Sequence, residues 1–155
     1  MKILDTRGGL IAGGEGIAIS NIDGEIVEMF YIKNFEAKVT KNKEKIPTLN
    51  NRAGISISGM TEGSGTMTIY ESTSKFRELM QKYIDTGVDT YFTTTIVNKD
   101  PTSALGEQSV TFYNMNLDEV IVSMLDVEQG SAMETEVPFT FDRFEINKAY
   151  DEYKA

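Results

Sequence analysis

The stretch from Gly65 to Val97, GTMTIYESTSKFRELMQKYIDTGVDTYFTTTIV, constrains the fold more than any other part of the chain. Thr66–Tyr70 alternates polar and apolar residues with a period of two, the mark of a half-buried strand. Ser72, Thr73 and Ser74 then offer oxygens for an N-cap. Phe76, Leu79, Met80, Tyr83 and Ile84 follow at helical spacing, which lines them up as one apolar stripe on a helix of about three turns. Gly87 supplies the stop, and Thr90–Val97 is rich in β-branched and aromatic residues that favour a strand. The stripe is expected to lie on a sheet face as core. Nearly everything else reads as β, so the chain is a sheet protein with a single helix.

Residues 8–16, GGLIAGGEG, are too glycine-rich to hold regular structure unaided, and residues 1–16 are expected to form a flexible arm. Their spacing is not the G-x-G-x-x-G of a phosphate cradle, and no strand–helix frame surrounds them. Ile17–Ile22 reads as a strand ending in the turn signal Asp23-Gly24. From Glu25 to Ile46 the middle alternates cleanly, with Phe35, Ala37 and Val39 on one face. Residues 50–64 mix short alternation with glycines and suggest an irregular return, so that 38–64 forms an extended hairpin or loop. Asn98–Ser103, punctuated by Pro101, reads as a loop. Val110–Leu117 slips phase near Tyr113-Asn114, which suggests a bulge. Val120–Val127 reads as a strand, Gln129–Ala132 as a turn, and Glu136–Ile146 as another strand. Pro138 points to an edge position or a strand start. The residues from 148 to 155 read as a loose tail. The sum is a single, mainly β (α+β) domain: an antiparallel β-sandwich or partly open barrel of about seven strands with one amphipathic helix.

The chain has no cysteine and no histidine. Disulfides, thiolate nucleophiles, Cys- or His-based metal sites and the usual general base near neutral pH are therefore excluded. No metal or cofactor is expected. Asp118 and Glu119, read as adjacent strand positions, would face opposite ways and could not share a proton. Glu134 and Glu136 would share a face, but no cleft surrounds them in the sequence. Asn98–Asp100 is too short for a calcium loop. An enzyme is not expected. No apolar run is long enough to span a membrane and the N-terminus makes a poor signal peptide, so no membrane anchor is expected and the protein reads as intracellular.

The net charge of −9 is uneven: residues 1–106 carry 12 basic and 13 acidic side chains, residues 107–155 carry 3 and 11. Unlike halves of this kind suit head-to-tail pairing of copies; a merely solvated acidic surface is the plainer reading. Lys38, Lys41, Lys43 and Lys45 cluster before Pro47, with Arg52 close behind. A nucleic-acid contact is disfavoured, because no aromatic residues interleave with these lysines and the chain is acidic. An exposed hairpin extension accounts for them, as does a basic patch that meets an acidic patch on a neighbouring subunit.

Four segments, taken in order, resemble one family: GEIVEMFYIKNFEAKVTKNKEKIPTL, GSGTMTIYESTSKFRELMQKYIDTGVDTYF, VNKDPTSALGEQSVTFYNMNLDEVIVSMLDV and VPFTFDRFEI. The chain is similar to contractile phage tail tube proteins of the PBSX-type prophage kind over roughly residues 14–147. The most specific parts are TMTIY entering the helix, TG-x-DTYF leaving it, the NKDPTS loop and NLD-x-V-I; MKILDTRGGLIA has no match. The resemblance implies a structural protein whose copies close into hexameric rings and stack into a tube. Its lumen would pass DNA, without sticking, or ions. Tail sheath protein, tape-measure protein and baseplate are the implied partners, and a virion tail or phage-tail-like (bacteriocin) particle assembled in the bacterial host cytoplasm is the implied setting. Lys38, Lys41, Lys43, Lys45, Pro47 and Arg52 would then make inter-subunit or stacking contacts. Two other classes stay open: a secretion-system-type carrier ring, and a monomeric β-sandwich module binding a small ligand or glycan. The lack of tryptophan counts against the second, and a hydrolase is the weakest reading.

Overall fold

In a computed structural model the described residues are 14, 16–29, 32–125, 127–128 and 133–152. Most of the expected N-terminal arm and the expected turn at 129–132 lie outside them. The described residues form eight strands and one helix: β1 (Gly16–Ile22), β2 (Glu25–Glu28), β3 (Ile32–Thr48), β4 (Asn51–Tyr70), α1 (Lys75–Thr86), β5 (Phe92–Lys99), β6 (Glu107–Leu117), β7 (Glu134–Phe141) and β8 (Arg143–Lys148). Every pairing is antiparallel. The path runs β2-β1-β5-β6-β7-β4-β3, with β8 added beside β6, and its two ends do not meet. The fold is thus an open, mostly antiparallel β structure with one helix, as the sequence implies.

Strand β6 belongs to two sheets. Along Ser109–Tyr113 it pairs with β8, and at Asn116–Leu117 it pairs with β7. The changeover is the phase slip seen in the sequence: Phe92 pairs with Met115 but Thr94 with Phe112, and Asn114 takes a positive φ of 54°. One extra residue bends the strand there. Opposite the bend, the expected single strand Glu136–Ile146 breaks into β7 and β8 at Asp142. The Asp142 N–H donates to the Tyr113 carbonyl (3.1 Å), and the Asn114 Nδ2 donates to the Asp142 carboxylate (3.1 Å).

The core lies between the two sheets. Met67, Met115, Val137, Phe139 and Phe141 are among its buried residues. Phe35 stacks on Phe139 (5.2 Å between centroids), and Phe112 meets Phe141 edge-on (5.1 Å). A fully buried ring such as Phe139 contributes on the order of 2–3 kcal/mol. Gly63 and Gly65 make room for these rings: an added Cβ would stand 2.6 Å from the Phe141 ring and 2.7 Å from the Phe139 Cζ, respectively. The glycines that suggest an irregular return at 50–64 sit in one twenty-residue strand, because long-range pairing with β3 outweighs their weak local preference; the irregularity survives as two register shifts and as the positive φ of 68° at Gly54.

Helix α1 buries Phe76 and Leu79, and Phe76 lies 6.4 Å from Phe92. Gly87 closes it in the left-handed region, donating its N–H to the Tyr83 carbonyl. Ser74 precedes it without a side-chain capping bond; instead the Thr73 hydroxyl accepts from the Lys75 N–H. The last turn of the stripe is not core, since Tyr83 and Ile84 are 47% and 73% exposed. Lys82 pairs with Asp23 and Lys75 with Glu25, which sets the helix beside the β1–β2 hairpin. That hairpin turns through Asp23 and Gly24, both at positive φ as a two-residue primed turn requires.

Two further expectations are corrected and one is narrowed. Glu25–Glu28 is a strand of its own, which with the split at Asp142, and without a strand at 118–125, makes eight strands where about seven are expected. Pro138 is not at a strand start, since β7 begins at Glu134, but it does lie at a local edge: β6 pairs with β7 only at Phe139 and Thr140. Its carbonyl accepts from the Asp118 N–H, and the N–H it lacks would face the same side, where β6 has already ended. Residues 118–125 form no strand, and none of the described residues pairs with them as one. At the other end, the Asp151 N–H donates to the Leu105 carbonyl.

Substitutions at two positions check this packing. Gly65→Val should drive its side chain into Phe139 and cost at least about 2 kcal/mol, lowering Tm by about 5 °C or more in a thermal melt. At the bend, Asn114→Val should cost about 1–2 kcal/mol in urea unfolding, and Asn114→Gly less than that, because only the first must hold a β-branched residue at positive φ.

Candidate assembly interface

Strands β3 and β4 pair with each other over their whole length, but β4 meets β7 only from Gly63 to Tyr70. Beyond Gly63 the hairpin leaves the body of the sheet and continues as two strands alone. From Thr40 to Thr48 it extends about 30 Å at the usual strand rise. A Thr48–Asn51 pair closes the tip around Leu49 and Asn50. Asn50 takes a positive φ of 62°, and Leu49 is 95% exposed. Both outer edges of this arm lack a partner strand among the described residues.

All six residues expected to make contacts are exposed, and five of them lie on this arm; Lys38 stands just before it, opposite Ser64 where β7 still pairs with β4. Lys41, Lys43 and Lys45 alternate along β3 and so share a face, opposite Thr61, Ser58 and Ser56. Pro47 lies just before the tip, and Arg52 just after it. Between residues 38 and 61 the hairpin carries these five cations against one carboxylate, Glu44. No ion pair reaches the five among the described residues.

The face opposite the three lysines is apolar. Ile46 pairs with Ile55, and Ile57 stands diagonally beside them; the three are 40%, 52% and 50% exposed. Sequence reasoning sees the alternation of Ile55 and Ile57 but not that the face they share is left open. An arm that presents isoleucines on one face and ammonium groups on the other is shaped to be covered by protein, with charge selecting which protein.

The rest of the surface offers no competing chemistry among the described residues. Glu134 is engaged by Lys33, whose ammonium hydrogen-bonds it at 2.7 Å. That bond and the carboxylate charge raise the Lys33 pKa above the ordinary value of 10.5. A raised lysine pKa means that the contribution of the pair is complete below pH 10.5 and is lost only as pH rises through the higher, folded-state value. Asp118 and Glu119 lie in the irregular segment after β6. No group of three or more metal-ligating side chains is found among the described residues. No helix among them is long and apolar enough to cross a membrane.

The family described as "Phage tail tube protein" matches residues 11–147. The chain is 43% identical over 137 residues to the phage-like element PBSX protein XkdM of Bacillus subtilis (strain 168), covering 88% of this chain and 89% of that protein. Among solved structures, it superposes on a chain of the six-fold symmetrised anti-feeding prophage baseplate with a TM-score of 0.64, 7% identity and coverage of 87% and 93%. A chain of the anti-feeding prophage tube-terminating cap gives 0.63 at 12% identity, covering 96% and 95%. At those identities the likeness is one of fold. With the family matched across nearly the whole chain, and a relative at 43% identity, this protein belongs to the phage tail tube protein family.

Proposed function

We propose that this chain is the protomer of a tail tube: copies close into hexameric rings, and the rings stack around a lumen that passes DNA without sequence preference, or ions. The observation that carries this reading is the open sheet with its projecting β3–β4 arm. A sheet whose edges are left unpaired invites pairing with another chain, and closure into a barrel across copies removes those edges. Stacking needs two unlike, complementary surfaces on one molecule, and a heterologous contact of that kind builds rings or filaments. The basic arm and the acidic remainder of the chain meet that need. Fold likeness to a chain of a six-fold symmetrised baseplate supports the ring number.

Tail sheath protein outside the tube, tape-measure protein within it and a baseplate at one end are the partners this role requires. The setting is a virion tail or phage-tail-like particle assembled in the bacterial host cytoplasm. Lys38, Lys41, Lys43, Lys45, Pro47 and Arg52 then make contacts between subunits or between rings. The chemistry is mechanical, and no catalytic step is assigned to any side chain.

Concentrated protein should show hollow rings or tubes of uniform width by negative-stain electron microscopy, with a matching rise in light scattering. A species that stays monomeric at every concentration would overturn the proposal in favour of a monomeric binding module. Shortening the arm supplies a second check. Lys41 and Thr61 stand opposite one another, so a two-residue Asn-Gly turn can join them. The shortened chain should keep the thermal midpoint of the monomer within a few degrees and form no tubes.

A further inference from the structure

The segment from Asp118 to Leu125, DEVIVSML, has the composition of a strand but pairs with none. It is not a stray loop. Val120 packs against the core, and the Ile121 carbonyl accepts a 2.7 Å hydrogen bond from the Arg77 Nε. Arg77 is itself held by an ion pair with Glu71. The segment is thus fixed to the helix at one point and then turns outward, with Val122 77% and Leu125 97% exposed. Among the described residues no backbone N–H from Glu119 to Leu125 donates to another backbone carbonyl. Exposed apolar residues whose backbone N–H groups reach no described backbone carbonyl are what a strand lacking its neighbour looks like.

The same molecule holds a free strand edge of opposite charge. Among the described residues the outer edge of β3 has no partner strand, and along the arm it carries Lys41, Lys43 and Lys45. The segment opens with exposed Asp118 and Glu119. Resting on the tube reading above, we infer that Asp118–Leu125 is the seat for the β3–β4 arm of a second copy, which adds to it by backbone pairing and brings its row of lysines to the acidic end of the segment, where one of Asp118 and Glu119 shares their face. Strand addition of this kind draws affinity from main-chain hydrogen bonds and register from the side chains. It meets the needs of both orphaned edges in one contact, and it is heterologous because arm and seat are different surfaces.

Three full-length variants and the wild type test this: Lys43→Glu with Lys45→Glu, Asp118→Lys with Glu119→Lys, and all four changes together. All four positions are exposed, and circular dichroism confirms that each chain folds. Each double change should raise the concentration at which polymer appears by at least about tenfold, because like charges then face each other. The combined variant should return to within about threefold of wild type. Hydrogen exchange on wild type should show the amides of Val122–Leu125 protected in the polymer and open in the monomer. Tubes from wild type without rescue, or with these amides still open, would overturn the inference and leave the tube reading standing. Normal assembly of the Asp118→Lys, Glu119→Lys chain would mean that something other than the arm covers the segment. No polymer from wild type would overturn both.

Discussion

Strand β6 has to hydrogen-bond into two sheets at once, and the rest of the molecule is arranged around that demand. A straight strand presents the same two neighbours along its length. Here the neighbour on one side changes from β8 to β7, and the backbone needs a bend between Tyr113 and Met115. Asn114 supplies it by entering the left-handed region, which asparagine tolerates better than most residues. The partner chain must break at the same level, and Asp142 provides that break while its carboxylate holds the Asn114 amide. Once the corner is set, Phe112 and Phe141 fall on opposite sides of it and meet edge-on. Phe139 can then reach across to Phe35. The glycines of β4 are the last step, leaving the space those rings occupy.

A body built this way has a closed core and open edges. β2, β3 and β8 each have one side without a strand among the described residues. Natural sheets blunt such edges with charge, bulges or short strands. β2 is four residues long, whereas β3 is seventeen residues of lysine-rich strand with bulges in its pairing. The long edge is therefore guarded against casual pairing by charge, and it accepts a partner that offsets that charge. Apolar surface is distributed in the same spirit. The isoleucines of the arm, the end of the helix stripe and Val122 with Leu125 are left exposed while the interior between the sheets is well filled.

Most of the body was legible from periodicity. The helix, its glycine stop, the Asp23-Gly24 turn and the bulge near Asn114 all have local causes, and local causes are what a sequence displays. The failures share one origin. Residues 50–64 look irregular because glycine disfavours strands locally; β3 pairs them into a strand all the same, and the irregularity is confined to two register shifts and to Gly54. Residues 120–127 look like a strand because Val, Ile and Leu favour one, yet among the described residues no neighbour pairs with 120–125 to complete it. Pro138 is read correctly as an edge signal, but the edge is local and its position is set by where β6 stops. The lysines of the arm were visible as a cluster, but their alternation on one face opposite exposed isoleucines needed the register.

The reach of the arm sets its electrical independence. At physiological ionic strength a charge is screened over about 8 Å, and the arm projects several times that distance from the body. Its ammonium groups therefore stand as a local positive pole, not neutralised by the excess of carboxylates in the last third of the chain. A molecule that is acidic in total thus behaves as two bodies of opposite sign joined by a ribbon. With no histidine in the chain, no side-chain type with an ordinary pKa near neutrality is present to alter that polarity. Added salt, which shortens the screening length, is the agent that would weaken it.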